Sequence, residues 1–263
     1  MPSSKILGLA LLLGTALPGA ARGDAVPAPA RQPLLALADR VLSELSRLRS
    51  LPALRPIQRG VMSRDAILAR LRERVRQELP PGAIQNEERF LKRFGLIPAT
   101  MAYEREMFLL LSEQVAGFYD PFRAELYVAD WVPEAMQTET LAHELEHALQ
   151  DQHFQLRNLM RHRAGESDRS VAISALCEGD GVAVMLDYML RPTGMDIVRA
   201  PDIVSVVRAQ IGNMSGQPRL QASPRAVRES LLFPYLNGLS FVRALRIAGG
   251  WARVDQALVR WGL

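Results

Sequence analysis

Apolar positions at Leu34, Leu37, Ala38, Val41, Leu45 and Leu48 recur at helical spacing and stop before Pro52, so the chain after residue 34 starts with an amphipathic helix. Ser63 is placed to cap a second helix over 64–79, which Pro80-Pro81-Gly82 ends. A third is expected over 86–94 with Gly95 as its stop, and a fourth over 99–112. The period then changes. Residues 115–119 (VAGFY) and 125–128 (ELYV) read as two short strands joined by an Asp120-Pro121 turn. A strong helix is expected from about Thr138, followed by a polar loop over 161–169 and a very apolar helix over 171–190. A Gly/Pro-punctuated stretch, 191–224, holds a short helix near 202–211. Ser223-Pro224 starts another, and helices over 234–247 and 251–261, split by Gly249-Gly250, complete the pattern. Many helices, three or four strands and no fixed repeat give an α+β fold that is predominantly helical.

The first residues read as an address. Lys5, the apolar stretch Ile6–Leu17 and small residues at Ala21 and Gly23 describe a secretory signal peptide over 1–23, cut near Gly23, which implies an exported, periplasmic or secreted product. No cysteine lies near the cut, and no later run approaches the ~20 apolar residues of a membrane span, so no stable membrane anchor is expected after cleavage. Residues 24–33 form an Ala/Pro linker. The helical region 34–112 carries no recognisable chemistry and reads either as a lobe of the folded unit or as a removable pro-segment, with the remaining core over 113–263. Cys177, the only cysteine, cannot form an intramolecular disulfide and reads as a small buried apolar residue.

The chemistry sits in the helix from Thr138. Residues 143–147 spell HELEH, an HExxH motif. Positions four apart share a helix face, so His143 and His147 can ligate one zinc ion. Glu144, rotated off that face, is placed to take a proton from an attacking water and return it to the leaving group as general base and acid. Leu141, Leu145 and Ala148 form a stripe that buries the helix.

A catalytic zinc needs a third protein ligand, and two sites compete. His153 has the spacing of the extended metzincin motif, but the position where that motif breaks the helix with glycine is Gln150, a good helix former. In an unbroken helix His153 stands roughly 15 Å along the axis from His143. Glu178 is the stronger candidate. It lies in an apolar helical stripe with Val171, Ala175, Val182, Met185 and Met189, where a carboxylate is costly unless paired or metal-bound. A buried ion pair with an arginine is the alternative role for it. Gly179 and Gly181 would let this helix approach the HExxH helix closely. Asp180, on another face, is a candidate acceptor for a ligand histidine.

The segments VAGFYDPFRAELYV, HELEHALQDQHF and ALCEGD resemble the gluzincin-type zinc metallopeptidases, and among them small minigluzincin-like secreted bacterial and archaeal proteins. The resemblance extends over about 85–263, although such chains are expected to continue beyond the point where this sequence ends. It implies a zincin-like fold: a small sheet packed on the HExxH helix, and a helical lower subdomain that supplies a glutamate. It also implies one catalytic Zn2+ held by His143, His147 and Glu178, Glu144 as the catalytic carboxylate, and a peptide or protein substrate. The strand before the HExxH helix is where zincins add an extended peptide as a strand; a plain hairpin closing the core is equally compatible with these residues. Tyr188, Tyr235 and His162 are candidate transition-state donors. A zinc-binding module without catalysis, and a zinc hydrolase of non-peptide amides or esters, are the rival readings.

Charge changes little in this picture. The formal net charge of +4 and pI near 9.6 come from arginines interspersed with acids, and removing the first 23 residues takes away Lys5 and Arg22 and halves the excess. Nothing in that distribution marks a nucleic-acid surface. The oligomeric state is not legible.

Overall fold

The computed structural model describes residues 13–15, 31–161, 163, 165–212 and 217–262. A three-residue strand β1 (Leu13–Thr15) precedes helix α1 (Arg31–Arg49), strand β2 (Gln58–Met62), and helices α2 (Arg64–Glu78), α3 (Ala83–Arg93) and α4 (Tyr103–Gln114). Strands β3 (Val115–Asp120) and β4 (Glu125–Ala129) follow, then α5 (Glu134–Phe154), α6 (Leu156–Leu159) and α7 (Ser167–Leu190). Helices α8 (Ile203–Gly212), α9 (Pro218–Ala222) and α10 (Arg225–Gly262) complete the order. The fold is mostly helical α+β, with a small mixed sheet packed on the helix that carries His143 and His147.

The sheet runs β1-β3-β4-β2. β3 and β4 form the expected antiparallel hairpin, with Gly117 opposite Val128 and Asp120 opposite Glu125. Its turn is fixed by Asp120, whose Oδ1 accepts from the Phe122 amide at 3.0 Å while Oδ2 accepts from Arg70 Nη2 at 2.6 Å and Nε at 3.0 Å. β2, absent from the expected elements, runs parallel to β4, from Gln58 opposite Glu125 to Met62 opposite Ala129. β1 pairs antiparallel with β3, Leu13 opposite Phe118. Those three residues fall inside the segment expected to be a leader; the rest of that segment, and the linker up to residue 30, lie outside the described residues.

α5 is buried on every side between residues 140 and 151, rather than on one stripe. It packs on β3 and β4 with one face and on α1 and α7 with others, and so runs through the middle of the protein. It begins one turn earlier than the pattern predicts, directly after Pro133, and ends at Gln155 in the left-handed region (φ 54°). Leu34, Ala38, Val41 and Leu45 of α1 are buried in the same core. The Ser63 cap is present, its Oγ accepting from the Ala66 amide at 3.3 Å. The segment linking α1 to β2 is stitched to the end of α5: Gln152 Oε1 accepts from the Leu54 and Arg55 amides, and its Nε2 donates to the Arg55 carbonyl.

α7 lies against α5 on one side and α10 on the other. α10 starts at residue 225 and is broken where expected, since Gly249 and Gly250 have non-helical backbone and kink it there. No helix among the described residues is long and apolar enough to cross a membrane.

Candidate metal centre

The site is built where α5 and α7 cross. One turn of α5 places His143 above His147, with ring centroids 4.7 Å apart and planes nearly perpendicular. The middle of α7 supplies Glu178. His143 Nε2 lies 3.1 Å from His147 Nε2 and 3.0 Å from Glu178 Oε2, and His147 Nε2 lies 3.5 Å from that same oxygen. Three donor atoms from two helices therefore converge on one point, and the three residues form a group that could hold a metal ion. All three are buried, and Glu178 Oε1 makes no hydrogen bond.

Crowded polar groups of this kind need a reason in the interior. Burial lowers the His143 imidazole below its usual range, against the pull of Glu178. His147 is also penalised by burial, but the charges of Glu178 and Glu144 and its hydrogen bonds lift it to about 9. Burial would raise Glu178, yet the His147 charge and the hydrogen bonds from both histidines carry it below the usual carboxylate range. The three side chains hold one another's charge, and a cation binding to them would displace a proton into solvent.

Gly181 makes the crossing close: a Cβ there would stand 2.9 Å from His143 Cε1. Gly179 has a different role from the one expected. It faces α10, where a Cβ would lie 2.1 Å from the Gly238 carbonyl carbon. Glu144 is fully buried beside the sheet, and a Cβ on Gly117 would come within 3.3 Å of its Cγ, so a glycine in β3 seats this carboxylate against the hairpin.

His153 does not join the group. α5 runs straight through Gln150, and His153 Nε2 donates to the Pro52 carbonyl at 2.8 Å. The arginine partner considered for Glu178 goes instead to Asp180, which Arg49 grips with Nε at 3.0 Å and Nη2 at 3.1 Å. Asp180 does not touch a ligand histidine directly. Gln150 stands between, its Oε1 accepting from His147 Nδ1 at 3.0 Å and its Nε2 donating to Asp180 Oδ2 and to the Cys177 carbonyl, both at 3.1 Å. Sequence reasoning missed Gln150; the available signal was its position three residues after His147 on the buried helix. Arg49 also faces Glu146 at 3.4 Å and Asp255 at 2.6 Å. Burial and the neighbouring Asp180 raise Glu146 well above the usual carboxylate range.

Of the aromatic candidates, Tyr235 from α10 stacks on His143 at 6.0 Å. Tyr188 lies by Arg191, and His162 lies outside the described residues. Cys177 is buried and free. A scan of protein families, a search of curated proteins and a search of solved structures each gave no match to this chain.

Proposed function

We propose that the protein is an exported zinc metallopeptidase that cleaves peptide bonds in a peptide or protein substrate, with one Zn2+ held by His143, His147 and Glu178. The observation that carries this reading is the convergence of their three donor atoms, 3.0, 3.1 and 3.5 Å apart, in the interior. A tetrahedral ion with bonds of about 2.0–2.1 Å has ligand-to-ligand edges of about 3.3 Å, so the pocket suits zinc without rearrangement. Two imidazoles and one carboxylate are a zinc donor set that leaves a fourth position open.

When bound, zinc supplies Lewis acidity and makes water more acidic. The remaining work falls to the chain. Glu144, next to His143 on the same helix and fully buried, takes the proton of the attacking water on its carboxylate and returns it to the leaving nitrogen. β1 (Leu13–Thr15), inside the expected leader, pairs antiparallel along the outer edge of β3 beside α5, so removal of the leader would open that edge to an extended substrate. A peptide can add there as a strand, taking main-chain hydrogen bonds with little demand on its side chains. Tyr235 is the candidate donor to developing charge, because its ring lies against His143.

The test is Glu144→Gln in the purified chain, with zinc content measured beside digestion of casein and a peptide library. The expected result is zinc retained and cleavage lost by a factor of about a hundred or more. Equal cleavage by both forms would overturn the role of Glu144. No cleavage by the wild type, with zinc bound, would overturn the peptidase reading.

A further inference from the structure

Arg49 lies on α1, far from the motif in sequence. Arg49 is the last residue of that helix and is fully buried, as are Asp180 and Glu146. Its guanidinium lies 4.4 Å from the Trp251 ring centroid, and Arg246 covers the same ring at 3.7 Å. A buried planar fork engaged through Nε and Nη2 fixes the direction of the carboxylate it grips.

What it grips leads to the metal site. Asp180 receives Arg49 on both carboxylate oxygens and, on Oδ2, the Gln150 amide. The Cys177 carbonyl receives the same amide nitrogen. Both partners are acceptors, so the Gln150 NH2 must point at them and its oxygen must point the other way, at His147 Nδ1. In the neutral ring, the form that accepts a cation, an acceptor at Nδ1 keeps the one proton there. His147 Nε2 is then bare and faces His143 and Glu178.

We propose that Arg49 is a positioning residue of the metal centre, acting through Asp180 and Gln150 to hold the His147 ring and its tautomer ready for the cation. The inference rests on the reading that His143, His147 and Glu178 bind a metal. It also gives α1 a part in that centre. Without residues 31–49, Asp180 and Glu146 would lose the buried guanidinium that faces them both, and Gln150 would lose the fixed carboxylate that orients it.

Zinc affinity, measured by chelator competition at fixed pH, tests this together with the melting temperature of the zinc-free protein. The variants are Gln150→Met, Arg49→Lys and the pair. Gln150→Met keeps the bulk of the side chain and removes both of its polar ends; Arg49→Lys keeps the charge and removes the fork. Supporting contacts of this type are worth about 10–100-fold in metal affinity, so Gln150→Met should weaken zinc by that factor and Arg49→Lys by about tenfold. In the Gln150→Met background, Arg49→Lys should add less than about twofold, because the relay is already cut. Nitrogen-15 spectra of the zinc-free wild type, taken at a pH high enough for the His147 ring to be neutral, should show the Nδ1–H form, with a mixture of tautomers in Arg49→Lys.

Equal losses from Arg49→Lys in both backgrounds, or none in either, would overturn the proposal and leave Arg49 as a structural ion pair. If Arg49→Lys does not fold, Gln150→Met decides: affinity within twofold of wild type, or an unchanged tautomer in its spectrum, overturns the proposal. A wild type that binds no zinc would defeat the metal reading itself, an outcome distinct from a wild type that binds zinc and variants that bind it equally well.

Discussion

Gly179→Ala sets two forces against each other with a predictable winner. On helix propensity alone the change should stabilise α7 by about 1 kcal/mol, because glycine is a poor interior helix residue. The structure opposes this. The new Cβ would stand 2.1 Å from the Gly238 carbonyl carbon, 2.3 Å from its oxygen and 2.6 Å from its Cα. Ordinary contact begins at 3.4 Å, so the difference, 3.4 − 2.1, requires the α7 and α10 backbones to part by about 1.3 Å. The obstacle is backbone, which cannot rotate away, and the strain belongs at the upper end of overpacking, about 3 kcal/mol or more. The net loss is then about 2 kcal/mol, or a melting temperature lower by about 4–8 °C for a chain of this size. Thermal unfolding of the zinc-free protein reads it directly. Gly181→Ala is the informative comparison: its Cβ would meet the His143 ring, a side chain that can shift, at 2.9 Å. That variant should melt within a few degrees of wild type yet bind zinc more weakly. A Gly179→Ala protein that melts at or above the wild-type temperature would refute the close approach of α7 and α10.

Three further expectations follow from the site and the hairpin. His147 in the zinc-free protein is raised to about 9, and zinc binds the unprotonated ring. Apparent zinc affinity should therefore climb about tenfold per pH unit from about pH 6.5 to 8.5, and a flat profile in chelator competition would contradict the His147–Glu178 pairing. The same raised value means that the pair's contribution to zinc-free stability is full below about 6.5 and is lost as pH rises through about 9. Asp120→Ala would leave the buried Arg70 without its main carboxylate and the β3–β4 turn without its cap. A loss of about 3 kcal/mol is expected by urea unfolding, and a loss under about 1 kcal/mol would show that the turn holds without it.

The HExxH helix and the apolar helix bearing Glu178 were legible because each signal was local: a spacing of four in one case, a lone carboxylate in an apolar stripe in the other. The α1 stripe, the Ser63 cap and the β3–β4 hairpin were legible for the same reason, since periodicity and turn chemistry act over a few residues. β2 was not, because residues 58–62 show neither alternation nor β-branched enrichment and are held by parallel pairing to β4. Helix burial was understated for α5: contacts from the sheet, α1 and α7 surround it, and no single-helix pattern reports three neighbours at once. Gly179 carried a correct general signal, close helix approach, with the wrong partner, because α10 lies some sixty residues away in sequence. The Arg49–Asp180–Gln150 relay was illegible for that reason as well; its members come from three helices, and only Gln150 lies near the motif.

The proposed role of α5 and α7 is to hold one zinc ion between them. Elemental analysis of the purified wild type, Glu178→Ala and His153→Ala after metal reconstitution tests it most directly. About one zinc per chain is expected in the wild type and in His153→Ala, whose imidazole is engaged by the Pro52 carbonyl, with zinc lost from Glu178→Ala. Zinc kept by Glu178→Ala and lost from His153→Ala, or absent from all three, would contradict the account.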